Sequence, residues 1–377
     1  MALPVPFKLE IPDQAIADLK NRLALTRLPD ESPGSGWEYG TSLAAMQRIL
    51  AYWQDEFDWR QQEARLNEFE QATVAIDGIG IHYLKAEGKP VPGGPPPMPL
   101  LLVHGWPGSV FEFLSIIERL TDPGRFGGDP ADAVTVIAPT LPGFTLSFAA
   151  YQPRVGVEQM TSMLTRLMVE HLGYQSFGAQ GGDWGSFIVS RMASESPQHL
   201  TGIHLNMMPL QRNAKLFADP APEIERYAVE LKEFLKEETG YQWIQGTRPQ
   251  TLAYGLTDSP AGLAAWLLEK FQRWSDCRES PDTTIDLDTM LANISLYWFT
   301  GAIGSSFWPY FARHHGPWPI SAASTIDVPT GYCEFPAEIL RPPRSLAKHV
   351  YTDIRRWTVM RRGGHFAAME EPQALAE

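Results

Sequence analysis

What the sequence has little of narrows it first. Cysteine occurs only twice in 377 residues, as Cys277 and Cys333. They lie far apart with no metal-ligand spacing, so a disulfide framework or a zinc module is not available, and reduced thiols in a cytoplasmic protein are expected. No stretch reaches the ~18 consecutive apolar residues that a bilayer span needs. The N-terminus, MALPVPFKLEIPD, has no basic region ahead of an apolar core, so a protein without a secretory leader and with no membrane partner is expected. Positive charge is scarce too: 31 Lys and Arg stand against 44 Asp and Glu, a formal net charge of −13. No basic cluster could track phosphates, which argues against a nucleic-acid partner.

What is present is globular in kind. Hydrophobic residues make up 44% and charged residues 20%, while 32 prolines and 12 tryptophans point to long ordered loops and an aromatic-rich interior. The strongest local signal is QGGDWGS at 180–186, between an apolar run and the helical pattern SFIVSRMASE. Asp183 there takes the strand-to-helix position of the nucleophile elbow in α/β-hydrolases, flanked by glycines that a sharp turn requires. A loop whose Asp caps the next helix would read similarly. Aspartate in place of serine carries chemical meaning. A serine that displaced a leaving group from saturated carbon would end as a stable ether, whereas a carboxylate forms an ester that water can cleave.

In chain order, IPDQAIADLKNRLALTRLP places Asp13 as a helix N-cap, with Ile16, Leu19 and Leu23 on one face and Pro29 ending the pattern. Leu43, Met46, Leu50 and Trp53 mark a second helix. Residues 1–70 thus read as a helical arm packed on the main domain. Asp77-Gly78 signals a type I′ hairpin. The apolar run 100–103 leads into His104-Gly105-Trp106-Pro107-Gly108, the junction where an α/β-hydrolase provides half of its oxyanion hole. Trp106 would give one N–H and Trp184 the other; His104 reads as a structural histidine bonded to loop backbone. Further strands are expected at 134–138, near Phe177 and at 200–206, alternating with helices, which implies a mostly parallel sheet covered on both faces. From about Arg212 to His315 the pattern is helical throughout. The division expected is a core of 71–211 and 321–377 with an all-helical lid at 212–320 over the carboxyl ends of the strands. Strand character returns at 325–331 and 356–360, and His365, in RGGHF after the last strand, takes the position of the catalytic base. The acid belongs to the preceding loop, where Glu334 and Glu338 are both candidates; Asp327 reads as a solvated or capping residue.

Taken together, HGWPGS, QGGDWGS, FPAEIL and RGGHFAAMEEP, in this order and with a helical insertion between the second and third, resemble the microsomal-type epoxide hydrolase family. The arm resembles that family's N-terminal region. The resemblance implies an α/β-hydrolase fold, with Asp183 as nucleophile, His365 as base and, through FPxE, Glu338 as acid. It also implies two lid tyrosines, Tyr241 in a Gly-Tyr context and Tyr310 in a Ser-Ser-x-x-x-Tyr context. Microsomal members begin with an anchoring helix absent here, so the likeness is to soluble relatives, and the residues after His365 leave little room for the closing helix.

The chemistry so implied is opening of a small apolar epoxide to a vicinal diol, with water as second substrate and neither a metal nor an organic cofactor. A tyrosine with pKa ≈ 10 stays protonated at neutral pH and can donate to the ring oxygen. A haloalkane dehalogenase would use the same Asp and His and leave the tyrosines unexplained; a catalytically silent binding protein would not need the triad. Trp243, Trp266, Trp298 and Phe307 suggest an apolar pocket in the lid. A homodimer is compatible with the sequence.

Overall fold

The computed structural model describes residues 2–211, 221–321 and 324–377. Among these, short apolar runs form a nine-stranded sheet. Its strands are β1 (Val5–Pro6), β2 (Glu70–Ile76), β3 (Ile79–Ala86), β4 (Met98–Val103), β5 (Val134–Pro139), β6 (Phe177–Gly181), β7 (Leu200–Leu205), β8 (Thr330–Glu334) and β9 (Ile354–Val359). The spatial order is β1-β2-β3-β5-β4-β6-β7-β8-β9. Antiparallel pairing joins β1, β2, β3 and β5, and all pairs from β5 to β9 are parallel. The β2–β3 hairpin turns on Asp77 (φ +51°) and Gly78 (φ +80°), both positive as a type I′ turn requires.

From β4 the chain crosses to β5 on one side, and from β6 it crosses to β7 on the other. The crevice at the carboxyl ends of β4 and β6 is therefore the switch point of the sheet, where ligands bind in open α/β folds.

Helices α1 (Asp13–Ala24), α2 (Leu43–Asp55) and α3 (Trp59–Leu66) form the arm; α4 (Leu114–Thr121), α5 (Val157–Arg166) and α6 (Asp183–Glu195) flank the sheet. Over the carboxyl ends of the strands lie α7 (Pro222–Glu237), α8 (Gly240–Thr247), α9 (Pro249–Asp258), α10 (Pro260–Trp274), α11 (Leu287–Thr300), α12 (Ile303–Ser306) and α13 (Trp308–His315). No strand interrupts this set among the described residues; Arg212, where the helical pattern was expected to begin, lies outside them. Helix α11 buries Met290, Leu291, Ile294, Leu296 and Tyr297, as a helix apolar all round must. No helix is long and apolar enough to cross a membrane among the described residues.

Several local expectations shift. Asp13 is the first helical residue and Pro12 the cap, and α1 stops at Ala24, short of Pro29. The segment after Gly108 begins as a 3₁₀ turn over Val110–Phe113, and α5 ends in a π turn over Leu167–His171. Strand β8 starts at Thr330 rather than Thr325, because Pro329 has no N–H to give a ladder; Glu334 is its last residue. The arm packs on more than the core. Its first residues extend the sheet as β1, and its helices bond the lid: Trp53 Nε1 donates to Ser295 Oγ (3.0 Å), the Tyr52 hydroxyl to Asp288 (2.9 Å) and Arg48 to Asp282 (2.7 Å).

Candidate active site

Asp183 follows β6 directly as the first residue of α6, with Gly182 at the cap and φ +46°. A non-glycine residue in this left-handed region stores strain that its surroundings must hold. The neighbouring backbone crosses at close range: a Cβ on Gly185 would lie 2.0 Å from the Val103 carbonyl oxygen, and one on Gly105 would lie 2.3 Å from Asp183 Cβ. Only glycine lets the elbow and the loop after β4 share this space.

That loop holds the carboxylate. The Trp106 N–H donates to Asp183 Oδ1 at 2.8 Å. Trp184 is the second residue of α6, so its N–H is one of those without an intrahelical acceptor, at the positive end of the helix. His104 ties the loop down: its Nδ1–H donates to the Gly105 carbonyl (2.9 Å) and its Nε2 accepts the Leu141 N–H (3.0 Å). Burial lowers its pKa to about 4, so it stays neutral in this structural role.

His365, beyond β9, puts Nε2 3.5 Å from Asp183 Oδ2. Its Nδ1–H donates to Glu338 Oε1 at 2.7 Å, and the same oxygen accepts the Ile339 N–H at 2.7 Å. Glu334 accepts instead from the Trp357 indole at 3.2 Å, away from the imidazole. Asp327 bonds Thr352 and stays exposed. Burial opposes a charge on His365, but the carboxylates of Glu338 and Asp183 outweigh it and hold its pKa well above the ordinary histidine value.

Two phenols close the site from the lid. Tyr241 of α8 stacks on Trp106 (centroids 5.4 Å, 9° between planes), Tyr310 of α13 meets Trp106 edge-on at 5.7 Å, and the two phenol rings lie 5.5 Å apart. Gln242 Nε2 donates to the Tyr241 hydroxyl at 2.9 Å, which leaves that hydroxyl's own proton free to donate. The Tyr310 hydroxyl is buried without a hydrogen-bond partner. Burial raises both pKa values, and the Asp183 charge adds to the effect.

Asp183 is the one residue shared, among the described residues, by two small cavities. One, of about 30 Å³, is walled by Trp184, Phe187, Leu210, Tyr227, Tyr241 and Tyr310. The other, of about 20 Å³, lies on the side of His365, Glu112 and Asn206. The first shares Gln242, Tyr310, Arg313 and Trp318 with a wider outer groove of about 530 Å³. Of the lid aromatics expected to line a pocket, Trp243 lines only this groove. Phe307 packs on Trp106 at 6.2 Å. Trp266 bonds Gln245 and Trp298 sits under Arg22, and neither lines these two cavities or the groove.

Sequence reasoning missed three contributors. Trp274 of α10 accepts the His365 N–H on its carbonyl (2.8 Å) and meets the imidazole edge-on at 5.1 Å. Lys270 of the same helix places its ammonium 4.7 Å from the Tyr241 ring centroid, a cation against the face of a candidate acid. Glu112 reaches the site from VFEF, where a single charge among apolar residues was the available signal. No group of three or more side chains able to hold a metal ion occurs among the described residues.

Comparison with known proteins bears on this arrangement. Residues 4–113 match the family model described as epoxide hydrolase N terminus, and residues 98–227 match that of the α/β hydrolase fold. The chain is 37% identical to epoxide hydrolase 1 of Sus scrofa, over 99% of this chain and 87% of that protein. The crystal structure of juvenile hormone epoxide hydrolase from Bombyx mori aligns over 100% of this chain and 93% of its own, with a TM-score of 0.89 and 31% identity. Aspergillus niger epoxide hydrolase aligns over 99% and 94%, with a TM-score of 0.83 and 27% identity. By sequence along nearly its whole length and by fold, the chain belongs to the microsomal-type epoxide hydrolases of the α/β-hydrolase superfamily.

Proposed function

We propose that this enzyme opens small apolar epoxides to vicinal diols through a covalent ester on Asp183. The observation that carries the reading is the position of that carboxylate, with Tyr241 and Tyr310 across the apolar cavity in front of it and His365 behind it. An epoxide seated in that cavity meets Asp183 at a ring carbon. The alkoxide that departs is a poor leaving group, and the two phenols, kept protonated by burial, supply its proton and share its charge. The product of this step is a glycol monoester of Asp183.

Esterification removes the charge of Asp183, one of the two carboxylates that keep His365 protonated. With that anion gone, the imidazole gives up its proton more readily, which makes good the one that the phenols gave to the ring oxygen, and becomes a base for water. Glu338 orients it and stabilises the imidazolium that forms. Water adds to Cγ of the ester, and the oxyanion draws on the N–H groups of Trp106 and Trp184, each worth roughly 2.7–4 kcal/mol in comparable sites. Collapse breaks the acyl–oxygen bond and releases the diol. Epoxides reach the cavity through the groove beside Arg313 and Trp318.

A single turnover of an aryl epoxide in ¹⁸O-water tests this. The first diol should be unlabelled, because its new oxygen comes from Asp183, and the label should sit on the enzyme. Label in the first-turnover diol would mean direct attack by water. One observation favours halide release instead: the indole N–H groups of Trp106 and Trp184 are buried without partners, as a halide site would need. Release of halide from haloalkanes by an enzyme inert to epoxides would establish that reading.

A further inference from the structure

The cavity behind Asp183 is built for something other than the epoxide. At about 20 Å³ it holds one water molecule, for which roughly 10–15 Å³ suffices. Its polar walls come from Asp183, His365, Asn206, Gln180 and Glu112. Asn206 is already engaged, accepting from Gln180 at 2.8 Å and donating to the His365 carbonyl at 3.5 Å. Glu112 is not: its carboxyl makes no hydrogen bond to any described residue. Its placement is nevertheless tightly defined. The side chain folds back from the 3₁₀ turn over Gly108, where a Cβ would lie 1.2 Å from Glu112 Oε1. Glycine at 108 thus leaves room for a carboxyl at the edge of the very loop that holds the nucleophile. A half-buried carboxyl on the wall of this cavity, without a protein partner, is placed to hold a water.

Hydrolysis of the ester calls for the same water. Its oxygen must approach Cγ of Asp183 while one O–H points to His365 Nε2; the second O–H needs an acceptor, or the attacking lone pair has no fixed direction. We propose that Glu112 is that acceptor, a positioning residue that holds the hydrolytic water in a cavity of its own, on the far side of Asp183 from the epoxide. One proton of the water passes to His365 and its oxygen bonds Cγ. The Cγ–O bond to the glycol then breaks, His365 returns the proton to the departing glycol oxygen, and the water's second proton, left on the Asp183 carboxyl, passes to His365 and restores the starting pair.

Burial pushes the Glu112 carboxyl up to about 8, with the Asp183 charge adding to this and His365 opposing it. Near neutral pH its carbonyl oxygen can accept from water without adding a second negative charge beside the oxyanion. The other ionisable groups nearby are His104, Tyr297, whose hydroxyl donates to the Gly108 carbonyl at 2.8 Å, and Glu370, taken up by the N–H groups of Asp276 and Phe366.

This inference rests on the ester mechanism, so the test separates its two steps by intact mass in single turnovers with an aryl epoxide. Glu112→Leu should form the ester as the wild type does and hydrolyse it ~10²-fold more slowly. Glu112→Gln, which keeps a carbonyl acceptor, should recover most of that loss. Gly108→Ala, which drives the carboxyl out of place, should slow hydrolysis alone and add nothing in the Glu112→Leu background. Wild-type hydrolysis in Glu112→Leu, Glu112→Gln no better than Glu112→Leu, or equal slowing of both steps would overturn the assignment. A wild-type enzyme that forms no ester would instead overturn the mechanism on which it rests.

Discussion

Glu338 Oε1 takes the Nδ1–H of His365 at 2.7 Å, whereas Glu334, at the end of β8, takes the indole N–H of Trp357 at 3.2 Å. The two carboxylates are nearly equivalent in sequence and face different partners. Glu338→Gln should therefore slow turnover by ~10²–10⁴-fold, since it removes the charge that stabilises the imidazolium. Glu334→Gln should cost far less. Steady-state rates of the two variants check this, and the reverse order would move the role to Glu334.

That choice marks where sequence legibility ends. The elbow could be read because strand, turn and helix are contiguous in QGGDWGS, so local chain geometry alone positions Asp183. His365 could be read because it follows the last strand. Which of Glu334 and Glu338 meets it depends on where β8 stops, and the strand runs on to Glu334, three residues past the expected end at Gly331. Glu112, Lys270 and Trp274 reach the site from helices whose local pattern is ordinary core packing. The arm's bonds to α11 and to Asp282 before it likewise join segments over two hundred residues apart, Trp53 and Ser295 being separated by 242 positions, which no local periodicity encodes.

The phenols give a prediction on the first step. Phe at either Tyr241 or Tyr310 should slow ester formation and leave measurable activity, and the double substitution should lower it by ~10²–10⁴-fold. Both phenols have raised pKa values, so their protonated form persists upward through pH 10. Ester formation in the wild type should show no loss near pH 10 from phenol ionisation. Stopped-flow measurement of the alkylation step reads both effects; an unchanged rate in the double variant would make the tyrosines packing residues.

Asp183 and His365 are electrostatically coupled, and that too is measurable. Asp183→Asn should abolish steady-state turnover and lower the His365 pKa, because one of the two carboxylates that raise it is gone. NMR titration of the imidazole in the wild type and the variant reports the shift. A histidine pKa unaffected by the substitution would remove the proposed link between esterification and release of the base.

Glu112 should leave a signature in stability. Its folded-state pKa of about 8 lies above the ordinary 4.5, so the folded protein binds more protons than the unfolded chain between those values. Its contribution to stability then falls as pH rises from about 4.5 to about 8 and is level beyond. Glu112→Gln cannot ionise, so its Tm relative to wild type should rise across that window. A difference in Tm that stays constant with pH would place the Glu112 carboxyl in an ordinary solvated setting.

The covalent ester is the central claim, and intact-mass analysis of His365→Gln after addition of an aryl epoxide tests it most directly. Loss of the base should leave the first step intact and stall the second. The expected result is a stable mass increase equal to the epoxide, located by peptide mapping to Asp183. A folded variant that binds the epoxide yet gains no mass, or gains it at another residue, would contradict the mechanism.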